Sequence, residues 1–134
     1  MDRAYEIVDQ LYRHARVADW DAVAAVMADD MVINEPPSLP YGGEWRGRHA
    51  LRDLFHAVMT YWDEPKIEQD SLTSDGRTVV AMVRLTITSR RNGERMTHRI
   101  AEVTTVEDER VTEMRIYYFD TARVLLELGD AVPA

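Results

Sequence analysis

The chain has 134 residues, a net charge of −8 and no cysteine. That length suits one domain able to bury roughly two-thirds of its unfolded surface; disulfides and thiolate chemistry are excluded, and an acidic balance with Lys66 as the only lysine argues against nucleic acid, which needs clustered cations. The start, MDRAYEIVDQ, is charged and lacks the apolar stretch of a signal peptide, and no run nears the ~18 apolar residues of a bilayer span, so a cytoplasmic protein without a membrane partner is expected.

Taken in chain order, Tyr5, Val8, Leu11, Tyr12 and Ala15 recur at helical spacing and predict a first helix over about residues 2 to 17. Asp19 is placed to cap a short second helix carrying Trp20, Val23, Ala24 and Met27. Met31, Val32 and Ile33 form a short strand candidate. Leu51, Leu54, Phe55 and Val58 then make an i, i+3, i+4, i+7 stripe, which predicts a third helix near residues 47–61. From residue 66 the period changes from 3.6 to 2. Strands are predicted over Lys66–Leu72, Val79–Thr88, Met96–Val106 and Val111–Phe119. The turns between them fall at Ser74-Asp75-Gly76, Arg91-Asn92-Gly93 and Glu107-Asp108-Glu109. Thr121–Leu128 reads as a short closing helix capped by Asp120 or Thr121. Helices followed by an antiparallel meander imply an α+β fold, with helices packed on the concave face of a curved sheet and an apolar cone between them.

The segment Glu35-Pro36-Pro37-Ser38-Leu39-Pro40-Tyr41-Gly42-Gly43-Glu44-Trp45-Arg46-Gly47 interrupts this pattern. Proline fixes φ and glycine permits positive φ, so the loop is shaped rather than floppy. A shaped loop with an acid at its entrance and aromatics along it suits the rim of a small-molecule pocket.

Three carboxylates come from separate strands or strand ends: Glu35, Glu102 and Asp120. Carboxylates converging in a dry cavity repel one another, and at least one pKa rises toward neutrality, as proton transfer requires. Each has a plainer reading. Glu35 reads as a solvated loop acid, Glu102 as an outer-face partner of arginine, and Asp120 as a helix cap. Arg84 interrupts an apolar run and is placed either to pair with Glu102 or to serve an interface; the register is open, and a one-residue slip exchanges the faces. His98 shares the face of Glu102. Tyr12, Tyr41, Trp45, His98 and Tyr118 are the candidate substrate-binding residues, with Tyr41 and Trp45 as a lid. His14, His49, His56 and His98 show no metal-ligand spacing, so no metal is expected. Phosphate-cradle, dinucleotide and nucleophilic-serine motifs are absent, and no cofactor is expected.

The order of elements resembles the NTF2-like superfamily, and more closely its SnoaL-like branch, which holds polyketide cyclases and is related to ketosteroid isomerases and limonene-type epoxide hydrolases. The resemblance rests on Glu35-Pro36, Leu39-Pro40-Tyr41-Gly42-Gly43, Arg46-Gly47, Glu113-Met114-Arg115 and Tyr118-Phe119-Asp120. It implies that Glu35 stands where ketosteroid isomerases hold the proton-moving carboxylate. Glu102 stands where they hold a protonated acid of the oxyanion hole, and Tyr12 or His14 where they hold a tyrosine donor. Asp120 stands where the cyclases and epoxide hydrolases hold an acid/base aspartate. Ile100, two residues before Glu102, departs from the Arg/Asp pair of the epoxide hydrolases.

Residues and resemblance together lead to the expectation of a cofactor-free acid–base enzyme. Its substrate would be a hydrophobic carbonyl-bearing small molecule. The rival expectation is a non-catalytic binding or dimerisation module. A homodimer is expected through the exposed sheet face, with Arg84, Arg99, Arg115 and Tyr117 contributing.

Overall fold

The computed structural model describes residues 2–128. Its elements run α1 (Arg3–Arg16), α2 (Trp20–Ala25), β1 (Met27–Glu35), β2 (Gly43–Arg46), α3 (Ala50–Val58), β3 (Trp62–Ser74), β4 (Thr78–Ser89), β5 (Arg95–Glu107), β6 (Arg110–Tyr118) and α4 (Thr121–Leu128). The fold is α+β. Six strands form one curved sheet in the order β2-β1-β6-β5-β4-β3, antiparallel except where β1 runs parallel to β6. Among the described residues no helix is long and apolar enough to cross a membrane.

The helices begin where side-chain acceptors satisfy their free N–H groups. Asp2 accepts from the Tyr5 amide, Asp19 from that of Ala22, and Asp120 from that of Arg123. Asp120, not Thr121, therefore caps α4. α1 buries Ala4, Ile7, Val8 and Leu11, its helical stripe, against the sheet. α3 buries Ala50, Leu54 and Val58.

Alternation decides the sheet faces. Val79, Ala81, Val83, Leu85 and Ile87 of β4 point inward, as do His98, Ile100 and Thr104 of β5. Arg84 lies on the other face, opposite Arg99, and its guanidinium grips Asp70 at 2.8 Å and Glu68 at 3.4 Å on β3. It does not pair with Glu102, whose β4 partner is Ala81.

Several boundaries differ from the sequence expectation, among them α3, which spans Ala50–Val58 rather than about 47–61. β1 begins at Met27, because Met27 turns into the core from a strand rather than from α2. β3 begins at Trp62, four residues early, and carries Pro65 as an edge strand tolerates. The shaped loop is shorter than expected, since Gly43–Arg46 pairs with Val32–Glu35 as β2. What remains of it is compact: Leu39 and Tyr41 are buried, and the Gly42 amide donates to the Leu39 carbonyl at 2.8 Å. A Cβ on Gly42 would lie 2.1 Å from the Pro36 carbonyl oxygen, so only glycine fits that approach.

Candidate active site

The cone between α1, α3 and the sheet encloses a cavity of about 170 Å³. Leu54, Val83, Leu85, Ile100, Met114 and Ile116 make its deep wall. Two carboxyls enter this apolar space, from Glu35 and Glu102.

The register explains how they meet. Ile33 of β1 is level with Met114 of β6, and Asn34 with Arg115, so the strand carries Glu35 to the level of Ile116. Glu102 of β5 lies directly opposite Ile116 on the other side. The two acids therefore flank one strand, with backbones about 10 Å apart, and lean into the same space.

Their environments differ. Glu35 is 5 % exposed, and among the described residues its Oε1 has no hydrogen-bond partner. Burial, followed by the nearby Glu102 charge, pushes its carboxyl up to about 8. Glu102 is also raised by burial, but its Oε1 accepts the Tyr12 hydroxyl at 2.8 Å, which favours the ionised form. The Tyr12 hydrogen bond thus favours charge on Glu102, while Glu35, with no such donor among the described residues, is the one on which burial favours the proton. Tyr12 holds its own proton firmly, raised first by burial and then by Glu102. Tyr118 lines the cavity, and its hydroxyl is 2.9 Å from that of Tyr41.

Not all the expected residues converge. Tyr12, Glu35, Glu102 and Tyr118 do. Asp120 is exposed, caps α4 and takes no part in the cavity wall. Tyr41 and Trp45 form no lid: Tyr41 is buried behind Tyr118, and the Trp45 indole donates to the Tyr41 carbonyl at 2.9 Å. His98 lies beyond the cavity, where it hydrogen-bonds Glu127 of α4 at 2.8 Å in a buried pair. The one-helix-turn spacing of Val124, Glu127 and Leu128 was the available signal for Glu127, an acid on an apolar stripe. Arg16 and Gln69, which border the opening, went unnoticed because neither interrupts a pattern. Among the described residues no group of three or more His, Asp or Glu is arranged to hold a metal ion.

The family is decided by the chain's own pattern. Residues 8–114 match that of the SnoaL-like domain. The chain belongs to the SnoaL-like family. No curated protein matches it. Several solved structures do. An NTF2-like protein from Burkholderia thailandensis is 26% identical, with 92% of this chain and 95% of that chain covered and a TM-score of 0.84. An NTF2-like protein of unknown function from Burkholderia pseudomallei is 23% identical, with 96% and 99% covered and a TM-score of 0.84. An LEH-like epoxide hydrolase from M. tuberculosis is 20% identical, with 94% and 89% covered and a TM-score of 0.69. Two further neighbours carry the provisional description of SnoaL-like polyketide cyclase. At these identities the likeness to the second and third establishes the fold, which hosts more than one activity.

Proposed function

We propose that this SnoaL-like protein is a cofactor-free enzyme that moves a proton on a hydrophobic, carbonyl-bearing small molecule, with double-bond isomerisation or aldol-type ring closure as the outcome. The carrying observation is the convergence of Glu35 and Glu102 in one apolar cavity. A plain binding module gains nothing from two buried acids, which cost stability. A proton-transfer site gains two groups of unequal affinity for the same proton.

The roles follow from the resting charges. Glu102, ionised, accepts the proton alpha to the carbonyl. Glu35, neutral, donates to the oxygen as the enolate forms. Tyr118 adds a second donor at the same wall. This exchanges the resting roles implied by the ketosteroid isomerases, because here the tyrosine of the first helix donates to the acid on β5 and stabilises its charge. The apolar wall excludes water, which strengthens each interaction. Epoxide opening has less support, since Ile100 occupies the position where that chemistry keeps a charged partner.

The test is exchange of alpha protons in D₂O, read by NMR on a panel of bicyclic and tricyclic ketones. It needs no knowledge of the natural product. Glu102→Gln and Glu35→Gln should each slow exchange by roughly 10²-fold or more, and Tyr12→Phe by less. Asp120→Asn should leave the rate unchanged. Full exchange in both glutamine variants would refute the assignment and favour the binding module.

The outer sheet face supports a proposal on assembly. Met82, Ala101 and Tyr117 form one row across β4, β5 and β6, and Met82 and Tyr117 are about half exposed. The rows on either side carry Val80, Val103 and Arg115, and Arg84 and Arg99, with Glu113 one step beyond Arg115's row. The apolar row is flanked by arginines that have Glu68 and Glu113 beside them, a face of mixed charge able to meet itself across a two-fold axis, so the occupant we assign is a second copy of this chain.

A further inference from the structure

The cavity is graded from its floor to its opening. The floor holds the two acids and buried aliphatic side chains. The opening lies between the end of α1 and β3, where the bordering residues Arg16, Pro65 and Ile67 are exposed. Among the described residues Arg16 is the only cation on the cavity wall. It sits one helical turn beyond Tyr12, so the two side chains share a face about 6 Å apart along the axis.

Arg16 also lacks an acidic partner. Ten of the fifteen arginines reach a carboxylate within 4.0 Å, Arg13 of the same helix among them. Arg16 has no carboxylate within ion-pair distance among the described residues. One of its N–H groups donates to the Gln69 side-chain carbonyl at 3.3 Å. Gln69 also lines the cavity, so it steadies the guanidinium at the opening without neutralising it. Four further N–H donors remain, arranged in a fork that fits a carboxylate. Charge sets the direction in which a ligand enters. An anionic end is repelled by Glu102 at the floor and attracted at the opening, so the neutral carbonyl end goes in first.

We propose that Arg16, held by Gln69, is a specificity residue that selects substrates bearing an anionic group, a carboxylate or an acidic enol, at the end opposite the reacting carbonyl. The inference rests on the proton-transfer reading of the floor, because it takes the carbonyl end as the buried one. The substrate class becomes a hydrophobic keto acid of roughly bicyclic length rather than a neutral ketone.

The probes are 6-acetyl-2-naphthoate and 6-acetyl-2-naphthamide, which match in shape and differ in charge. Binding is followed by titration calorimetry at 20 mM and 300 mM salt, for the wild type, Arg16→Gln and Arg16→Lys. The wild type should prefer the carboxylate by about tenfold at low salt, equivalent to about 1.4 kcal/mol, and by less at high salt. Arg16→Gln should abolish the preference, bringing the carboxylate's affinity down to that of the amide. Arg16→Lys should retain part of it, because the charge survives and the fork does not. Equal affinity for the two probes in the wild type, failure of both to bind at millimolar concentration, or an undiminished preference in Arg16→Gln each overturns the inference. A fall in thermal stability of Arg16→Gln with unchanged selectivity does so too, assigning Arg16 to the negative end of α1 instead. Alpha-proton exchange on the neutral amide separates the two proposals. Exchange without a charge preference leaves the floor chemistry standing and sinks the role of Arg16. A charge preference without exchange does the reverse.

Discussion

Glu35→Gln should make the protein more stable at alkaline pH, and the size of the effect can be worked out. The carboxyl titrates at about 8 in the fold and at the ordinary 4.5 when the chain unfolds. A raised folded value means the folded state holds a proton that the unfolded chain releases. The stability associated with Glu35 is therefore fully present below pH 4.5 and drains away as pH rises to about 8. Each pH unit in that window costs about 1.4 kcal/mol, or about 5 kcal/mol across it. Glutamine keeps the shape and cannot ionise. Urea unfolding of both proteins should give similar stabilities at pH 5, with the variant ahead by about 4 kcal/mol at pH 8 and the slope in urea unchanged. Asp2, Asp70 and Asp75 have lowered pKa values, Asp2 and Asp70 chiefly through side-chain hydrogen bonds and Asp75 through backbone ones. Their contributions run the opposite way but are common to both proteins and cancel in the difference. In a Glu102→Gln background the divergence should level off at lower pH and be smaller, because one cause of the Glu35 shift is gone. Parallel stability curves across pH 5 to 8 would refute the reasoning and show that Glu35 reaches solvent or a cation.

Further expectations are more local. Gly42→Ala forces a methyl against the Pro36 carbonyl and should cost about 1–3 kcal/mol, the scale of overpacking, measured as a drop in melting temperature. Glu127→Leu leaves His98 without its buried partner and should destabilise by about 3–5 kcal/mol, while the double variant with His98→Leu should recover much of it in a mutant cycle. Sedimentation at tens of micromolar should show a dimer that Tyr117→Lys dissociates. A monomeric wild type would remove the proposal for the outer face.

The fold was legible because its signals are local and repeated. The stripes of α1 and α3 and the alternation of β4, β5 and β6 each bury one face, and each recurs often enough to survive an error at its ends. The helix caps Asp19 and Asp120 were legible for the same reason, since capping involves residues three apart. The site was legible only in part. Glu35, Glu102, Tyr12 and Tyr118 carry chemistry at positions where the pattern called for apolar residues or a loop. Asp120 carries similar chemistry, but its capping bond turns it away from the cavity, and no local pattern reveals that choice. Tyr41 and Trp45 misled because a loop rich in proline and glycine suggested a rim. Its second part proved to be a strand, Gly43–Arg46, and Leu39 and Tyr41 of the rest packed inward. The pairing of Arg84 with β3 rather than with Glu102 depended on register, which spacing along one strand does not specify.

The parallel pairing of β1 with β6 has a consequence for the order of assembly. β6 is the last strand in the sequence, yet it lies between β1 and β5, the strands that carry Glu35 and Glu102. As the chain emerges during synthesis, β1 and β5 have no sheet partner in common until residues 110–118 arrive. Until then both acids remain hydrated, with ordinary affinities, and lend charge to strands that would otherwise present sticky apolar faces. Insertion of β6 closes a loop of about eighty residues, a step of high contact order that slows folding. That single step dries the cavity, raises both carboxyls and brings the two acids together. The same two side chains thus become unusual acids only once the fold is complete.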